Sequence, residues 1–513
     1  RVRLALDAVH GVDINPFAVA IARFRLLVAA IRACNFKTLT DTAGYTFPLH
    51  LAVGDSLIKH REGVLFGEDP MVEFAYATED LHEHPGILTT GTYHVVVGNP
   101  PYITVKDKGL NEAYRDMYNT CSGKYALSVP FAQRFFQLAK PGDQDGKGAG
   151  YVGQITANSF MKREFGKKLI EKFFATRVNL THVIDTSGAY IPGHGTPTVI
   201  LVGRNTTLNR PGTIRTIMGI RGEPSAPTDP SKGLVWQAIV NQINHPGSES
   251  QWVSARDIRR SQLATHPWSL SGGGADDLLA VLESHQPKLS TLAASIGITS
   301  VTGEDDLYIL PLNGARTRLR VDDARLLVTG DVIRDYVTFP DSEAIWVYDE
   351  ELKVLPLSTQ PGNARYLSPF EITISCRKRF GVPMLQRGMA WWEWQEIYPS
   401  KLKTSLSIAF AEVATHNHFV LDRGGKVFKQ TAPVIKLPKE ASEDDHLKLL
   451  GVLNSSTACF WLKQVCHNKG GPGGGYSKDE KWRDFYQFNG TKVERFPLPP
   501  AYPLELAREI DKL

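Results

Sequence analysis

The residues Asn99-Pro100-Pro101-Tyr102 follow the apolar run HVVVG at 94–98, and their types narrow the chemistry they could do. Two successive prolines set the backbone dihedral and give up two N–H donors. The Asn99 amide oxygen and the Pro100 carbonyl can then both point outward as rigid acceptors. Two acceptors converging on one amino group suit an exocyclic amine whose lone pair is delocalised into a ring. Accepting both hydrogens holds the nitrogen closer to tetrahedral, aims its lone pair at an electrophile and stabilises the positive charge that develops on attack. No strong general base is required. Tyr102 offers a flat face for an extruded base, a contact worth about 1–3 kcal/mol. The competing reading of the same residues is a rigid turn after a buried strand.

Such a turn needs a sheet to hold it, and ligands of open parallel sheets bind outside the carboxyl ends of the strands. Short apolar runs alternating with amphipathic segments predict that sheet over the first two hundred residues. Strands are expected at 9–12, 49–53, 94–97, 151–156, 181–185 and 198–203. The last two are joined by the short TSGAYIPGHGTP, too brief for a helical crossover, so that pair should be antiparallel. Asn15 can cap a helix with Pro16 in its first turn, and Phe17, Ile21, Phe24, Val28 and Ile31 recur at helical spacing as its buried face. The polar stretch 103–126 reads as a long loop, followed by the helix SVPFAQRFFQLAK. The basic stretch 162–172 reads as a helix with a solvated face. From residue 206 the rhythm changes to turn-rich sequence with short strands and many aromatics, including WWEWQ at 391–395. HLKLLGVLNSSTACFWLKQV, near the end, predicts an amphipathic helix. The expected organisation is therefore an α/β domain at 1–205 and a mixed α+β domain at 206–513.

A length of 513 residues exceeds what one hydrophobic core usually supports, in keeping with two domains. The net charge of +4 means that a polyanion would have to be met by local basic patches. Cys34, Cys121, Cys376, Cys459 and Cys466 show neither paired metal spacing nor disulfide density, which suits a reducing cytoplasm, and no metal site is expected. No apolar run is long enough for a membrane span, so no membrane partner is expected. The opening RVRLALDAVHGVDINP reads as a helix already under way, the expectation being that the chain is a piece of a longer protein.

VVVGNPPYI resembles the catalytic motif of amino-methyltransferases that use S-adenosylmethionine, GVDINPFAVAIARFRL their acidic cofactor motif, and VGDSL their third motif. The motif order, with a further domain behind it, is similar to the gamma arrangement of N6-adenine DNA methyltransferases. Longer stretches, among them GYVGQITANSFMKREFGKKLIE and HVIDTSGAYIPGHGTPTVILVGR, resemble the adenine-specific methyltransferases of bacteriophage-exclusion (BREX) and phage-growth-limitation systems, the PglX type. The resemblance implies a Rossmann-like methyltransferase sheet, S-adenosylmethionine as cofactor, and double-stranded DNA as partner alongside other defence-system proteins. It assigns Asp13 to the cofactor ribose and Ile14 to its adenine. Asp55 would accept from that adenine's amino group, with Ser56 and Leu57 lining the pocket. Asn99 and Pro100, braced by Pro101, would hold the target amine. Tyr102 and Tyr190 would stack on the flipped base. His194, between two glycines, reads as a turn residue, because methyl transfer to an amine needs no imidazole.

That family's glycine-rich first motif lies before its acidic strand, and the six strands here are one short of its seven. The expectation is that this piece binds cofactor weakly while the complete protein binds it. For the second domain, SCRKRFG at 375–381, PSKLKTS at 399–405 and the stretch NKGGPGGGYSKDEKWRDF combine cations with aromatics, suited either to phosphate and base contacts or to plain solvation. Two other functions remain open at this level. One is a methyltransferase of the same motif acting on protein glutamine or RNA. The other is a DNA-binding regulatory subunit that keeps the fold.

Overall fold

The computed structural model describes residues 1–58, 78–193, 195–379, 381–403, 406–470 and 483–513. His194 and most of the glycine-flanked stretch beginning at Asn468 lie outside the described residues. The chain divides into two compact units, Arg1–Leu270 and Ser271–Leu513.

In the first unit a short helix, α1 (Val2–Asp7), leads into β1 (His10–Asp13), which pairs in parallel with β2 (His50–Val53), His10 opposite His50. A six-stranded sheet has the order β3 (Val95–Gly98), β4 (Tyr151–Ala157), β6 (Thr198–Arg204), β5 (Asn179–Asp185), β7 (Thr213–Gly219), β8 (Val253–Arg259). All six expected strands form, and β5 and β6 are antiparallel as the short connection requires. The expected boundary at 205/206 is corrected: β7 pairs in parallel with β5, and β8 extends the sheet beyond it. Trp268 then packs between Phe160 and Phe174, which ties the segment after β8 into the same core.

Helix α2 (Pro16–Ala33) starts where Asn15 accepts the backbone N–H groups of Phe17 and Ala18. Its buried face is not the one expected. Val19, with Ala22 and Leu26 beside it, packs against Leu51 and Val53 of β2, whereas Phe17, Ile21 and Phe24 are 79%, 59% and 66% exposed. Apolar spacing identifies a helix without saying which of two apolar stripes finds a partner within the folded unit. The polar stretch after the proline turn is likewise no structureless loop. Asp107 caps α3 (Lys108–Met117) by accepting Leu110 N–H, and the helix holds because Tyr114 and, one turn on, Tyr118 are buried. Helix α4 (Ser128–Leu138) covers one face of the sheet. Its Phe135 and Phe136 rings lie where a side chain at Gly98 or Gly203 would have to go, so glycine at both positions lets helix and sheet approach closely. The basic stretch follows a 3₁₀ turn at Asn158–Met161 and folds as a second such turn at Glu164–Gly166 and a π-helical turn at Leu169–Phe174. Lys167, Lys168 and Lys172 face solvent there, while Phe165, Leu169 and Phe173 point into the core.

The second unit contains two four-stranded sheets. One has the order Phe419–Asp422, Ser407–Phe410, Val434–Lys436, Ser295–Gly297; the other Ile309–Pro311, Ser342–Ile345, Ala324–Val328, Lys426–Phe428. The single helix expected near the end is two, Glu443–Leu453 and Ser456–Val465. Ser455 restarts it by accepting Ala458 N–H, and the Asn454 amide is drawn off to pair with the Phe419 backbone. No helix among the described residues is long and apolar enough to cross a membrane.

Candidate active site

The strand order decides where the candidate residues meet. Strands β3 and β4 are parallel and both β4 and β5 run antiparallel to β6, so β3, β4 and β5 share a direction. The Asn99–Tyr102 turn after β3 and the Tyr190 loop after β5 therefore leave the sheet at one edge. Asn99 is exposed, Pro100 buried, Pro101 exposed and Tyr102 half-buried. The Tyr102 hydroxyl donates to Asn99 Oδ1 over 2.6 Å. Burial holds the Tyr102 phenol above its ordinary pKa. Behind the turn, Leu127 N–H donates to Ile103 O at 2.8 Å, tying the exit of the motif to the approach of α4.

The two acidic positions lie at the carboxyl ends of β1 and β2. Asp13 is exposed; its Oδ1 accepts Asn15 N–H at 2.7 Å, and its carbonyl accepts Gly54 N–H at 3.0 Å, which joins the two strand exits. Ile14, beside it, is exposed. Asp55 is different, being buried with both carboxylate oxygens engaged: Oδ1 accepts Leu57 N–H at 2.8 Å and Oδ2 accepts the Tyr114 hydroxyl. Ser56 is half-buried. Leu57 does not line an open pocket in this structure: its side chain is 1% exposed in the main core, and its carbonyl accepts the Tyr118 hydroxyl at 2.6 Å. Leucine in a strand exit goes where apolar area is removed from water, and α3 supplies that place.

Tyr190 is half-buried and follows a short turn in which Ala189 N–H donates to Thr186 O. Thr186 and Thr198 close the β5–β6 hairpin through their hydroxyls at 2.7 Å.

Two residues that matter here escaped the sequence reading. Tyr114, on the helix after the proline turn, reaches the Asp55 carboxylate, so the acidic loop and the connection after β3 are joined directly. Arg134 is buried in α4, donating from Nε to Ser56 O at 2.9 Å and from Nη2 to Leu88 O at 2.8 Å. Desolvation lowers its pKa, opposed by Tyr118 and Asp55. A lone cation within the apolar FAQRFF was the available signal, since arginine is rarely fully buried without a structural duty.

In the second unit, two cations expected as candidate phosphate contacts have backbone partners. Arg377 is buried and donates to the carbonyls of Ile374, Thr302, Trp391 and Glu393, with Tyr308 under its guanidinium. Lys401 is half-buried against Ile298 O at 3.2 Å and the Tyr398 ring, and burial lowers its pKa. Lys378 and Lys403 are exposed. No group of three or more His, Cys, Asp or Glu side chains among the described residues is placed to hold a metal ion.

Comparison with known proteins bears out the resemblance read from these motifs. Residues 7–191 match the Eco57I restriction-modification methylase family. The chain is 52% identical over 529 residues to the adenine-specific methyltransferase PglX of Streptomyces coelicolor, an alignment covering 100% of this chain and 44% of that protein. It is 23% identical over 348 residues to the type II methyltransferase M.XhoI of Xanthomonas vasicola, covering 65% of this chain and 58% of the relative. Among solved structures, the type IIL restriction-modification enzyme MmeI in complex with DNA superposes with a TM-score of 0.57 at 12% identity, over 99% of this chain and 57% of that one. The chain thus spans about half the length of these proteins.

Proposed function

We propose that this chain is the catalytic and target-recognising part of a site-specific DNA methyltransferase that modifies adenine N6 in duplex DNA, in a BREX-type phage-defence or restriction-modification setting. One observation carries the reading: the exposed Asn99, at the carboxyl end of a parallel strand and followed by two prolines, presents an acceptor that a nucleobase amine can reach. Asn99 Oδ1 and the Pro100 carbonyl take the two amine hydrogens, and Pro101 keeps the turn rigid. The lone pair is thereby directed out of the ring plane, and positive charge growing on nitrogen is met by two fixed dipoles. Tyr102 and Tyr190 stack on the extruded ring from the shared sheet edge.

S-adenosylmethionine, when bound, supplies the methyl group. An exposed Asp13 carboxylate beside an exposed Ile14 suits the two faces of a nucleoside, the ribose hydroxyls and the adenine ring. Asp55 and Ser56 complete that pocket. Asp55 does so with oxygens that already hold Leu57 and Tyr114, so its share is one further hydrogen bond. Leu57 supports the loop from beneath.

The unit Arg1–Leu270 is assigned the chemistry and Ser271–Leu513 the choice of site. The first assignment includes a further strand beside β3 in the complete protein. Strand β3 ends its sheet, Val95 and Val97 are 60% and 74% exposed, and α2 turns Phe17, Ile21 and Phe24 to solvent. The test uses the intact protein with labelled S-adenosylmethionine and unmethylated plasmid or phage DNA, with and without its defence-system partners, and maps modified bases by long-read sequencing. N6-methyladenine at a fixed sequence is expected. Label transferred to protein, or to none of these substrates, rejects the reading.

A further inference from the structure

The hydrogen bond inside the proline turn bears on how an amine enters it, provided that the turn grips a target amine as proposed above. Tyr102 donates its hydroxyl hydrogen to Asn99 Oδ1 at 2.6 Å, and that oxygen is one of the two acceptors assigned to the amine. With its pKa raised, the phenol stays a donor at neutral pH. The same arrangement occurs at the other acceptor assigned to an adenine amine, where the Tyr114 hydroxyl engages the Asp55 carboxylate. At both positions a tyrosine hydroxyl from the connection after β3 meets the oxygen that a nucleobase NH₂ would need.

We propose that the Tyr102 hydroxyl is a positioning group that stands in for the target amine: without a base it occupies Asn99 Oδ1, and an entering adenine N6 displaces it. Two functions of one residue then separate, the ring as stacking face and the hydroxyl as placeholder. The placeholder keeps the amide oxygen oriented and satisfied while the site is empty. It also lowers discrimination at that oxygen, because a base without an amine leaves the Tyr102–Asn99 bond intact and loses nothing there. An amine exchanges one donor for another.

A two-by-two comparison in the intact protein tests this. Sequencing DNA from cells that express it maps the methylated site, and duplexes are then made with adenine or with purine, which carries hydrogen in place of the amine, at the target position. Binding of both duplexes is measured for wild type and for Tyr102→Phe, which keeps the ring and removes the hydroxyl. The preference for adenine over purine should rise about 2- to 10-fold in the variant, the range of one net neutral hydrogen bond. Affinity for the purine duplex should not change. An unchanged or reduced preference overturns the proposal, as does an equal change for both duplexes, which is what a merely structural role produces. Asn99→Ala keeps the two readings apart: wild-type methylation by that variant removes the amine grip itself, whereas its silence together with an unshifted Tyr102→Phe removes only the placeholder.

Discussion

The strand exits of the first unit and the basic loops of the second use polar side chains in opposite ways. Asp13 and Asn99 are exposed at the ends of parallel strands, and their known partners are local: a backbone N–H two residues on for Asp13, a hydroxyl three residues on for Asn99. Arg377 and Lys401 sit in stretches that look as suited to DNA, yet their donors are taken up by carbonyls of distant segments. A short polar side chain at a strand end cannot reach far, so the turn that creates it also presents it. A long cationic side chain reaches whichever acceptors the fold brings near.

The largest effect that follows is at Asn99. In the intact protein Asn99→Ala should lower the methylation rate by about 10²–10³-fold, the usual loss when one preorganised group facing developing charge is removed. Melting behaviour should stay unchanged, since the residue is exposed. A variant that folds and methylates normally would place the chemistry elsewhere.

Arg377 should respond in the opposite sense. Arg377→Ala leaves four carbonyls short of a donor and should destabilise the second unit by about 3 kcal/mol in denaturant unfolding, with little change in the salt dependence of DNA binding by molecules still folded. Its exposed neighbour Lys378 is the control. If it meets a phosphate, Lys378→Ala should reduce the slope of log affinity against log salt by about 1 and leave stability alone. Reversal of the two outcomes would break the distinction between a cation embedded among carbonyls and one presented to solvent.

The same distinction explains how much could be read from sequence. All six strands, the α2 cap at Asn15 and the antiparallel β5–β6 return follow from local rules of period, capping and connection length, and each formed. The Asn99 turn and Asp13 were legible for the same reason. Which face of α2 is buried, the addition of β7 and β8 to the sheet, and the retreat of Leu57 into the core all depend on partners far along the chain. Tyr114 and Arg134 belong with these: nothing local to either residue announces Asp55 or Ser56 as its partner. The break of the last long helix at Asn454–Ser455 was local in kind, a serine cap, but lay inside a continuous apolar pattern that hid it.

Between the two acidic positions a smaller contrast is expected. Asp13→Ala, exposed and locally bonded, should weaken S-adenosylmethionine binding to the intact protein by about 10-fold in calorimetry, the loss of a charged hydrogen-bond acceptor, without shifting the melting temperature. Asp55→Asn should affect binding and stability together, because its carboxylate also holds Leu57 and Tyr114. If both variants behaved alike, the division between a presented and an embedded carboxylate would not hold.

The smallest effect is a pH dependence shared by both units. Burial lowers the pKa of His10 and His182 in the first and of His416 and His446 in the second below the ordinary 6.5. For His10 the next contribution is its stacked partner His50, 4.8 Å away across the β1–β2 pair, and His84 acts in the same sense while Asp7 opposes it. For His182 it is Arg215, opposed by Asp257. A histidine whose folded pKa is depressed binds fewer protons folded than unfolded, so its contribution to stability is present above 6.5 and is lost as pH falls from there towards the folded value. The melting temperature should therefore drop between pH 7 and 5.5, and His10→Gln, which cannot take up the proton, should flatten that drop only slightly, because solvent screens an exposed ring. Melting curves in buffers of equal ionic strength check it, and because His10 lies at the opening of β1 while Asp13 closes it, the variant should leave cofactor affinity at pH 7.5 where it was.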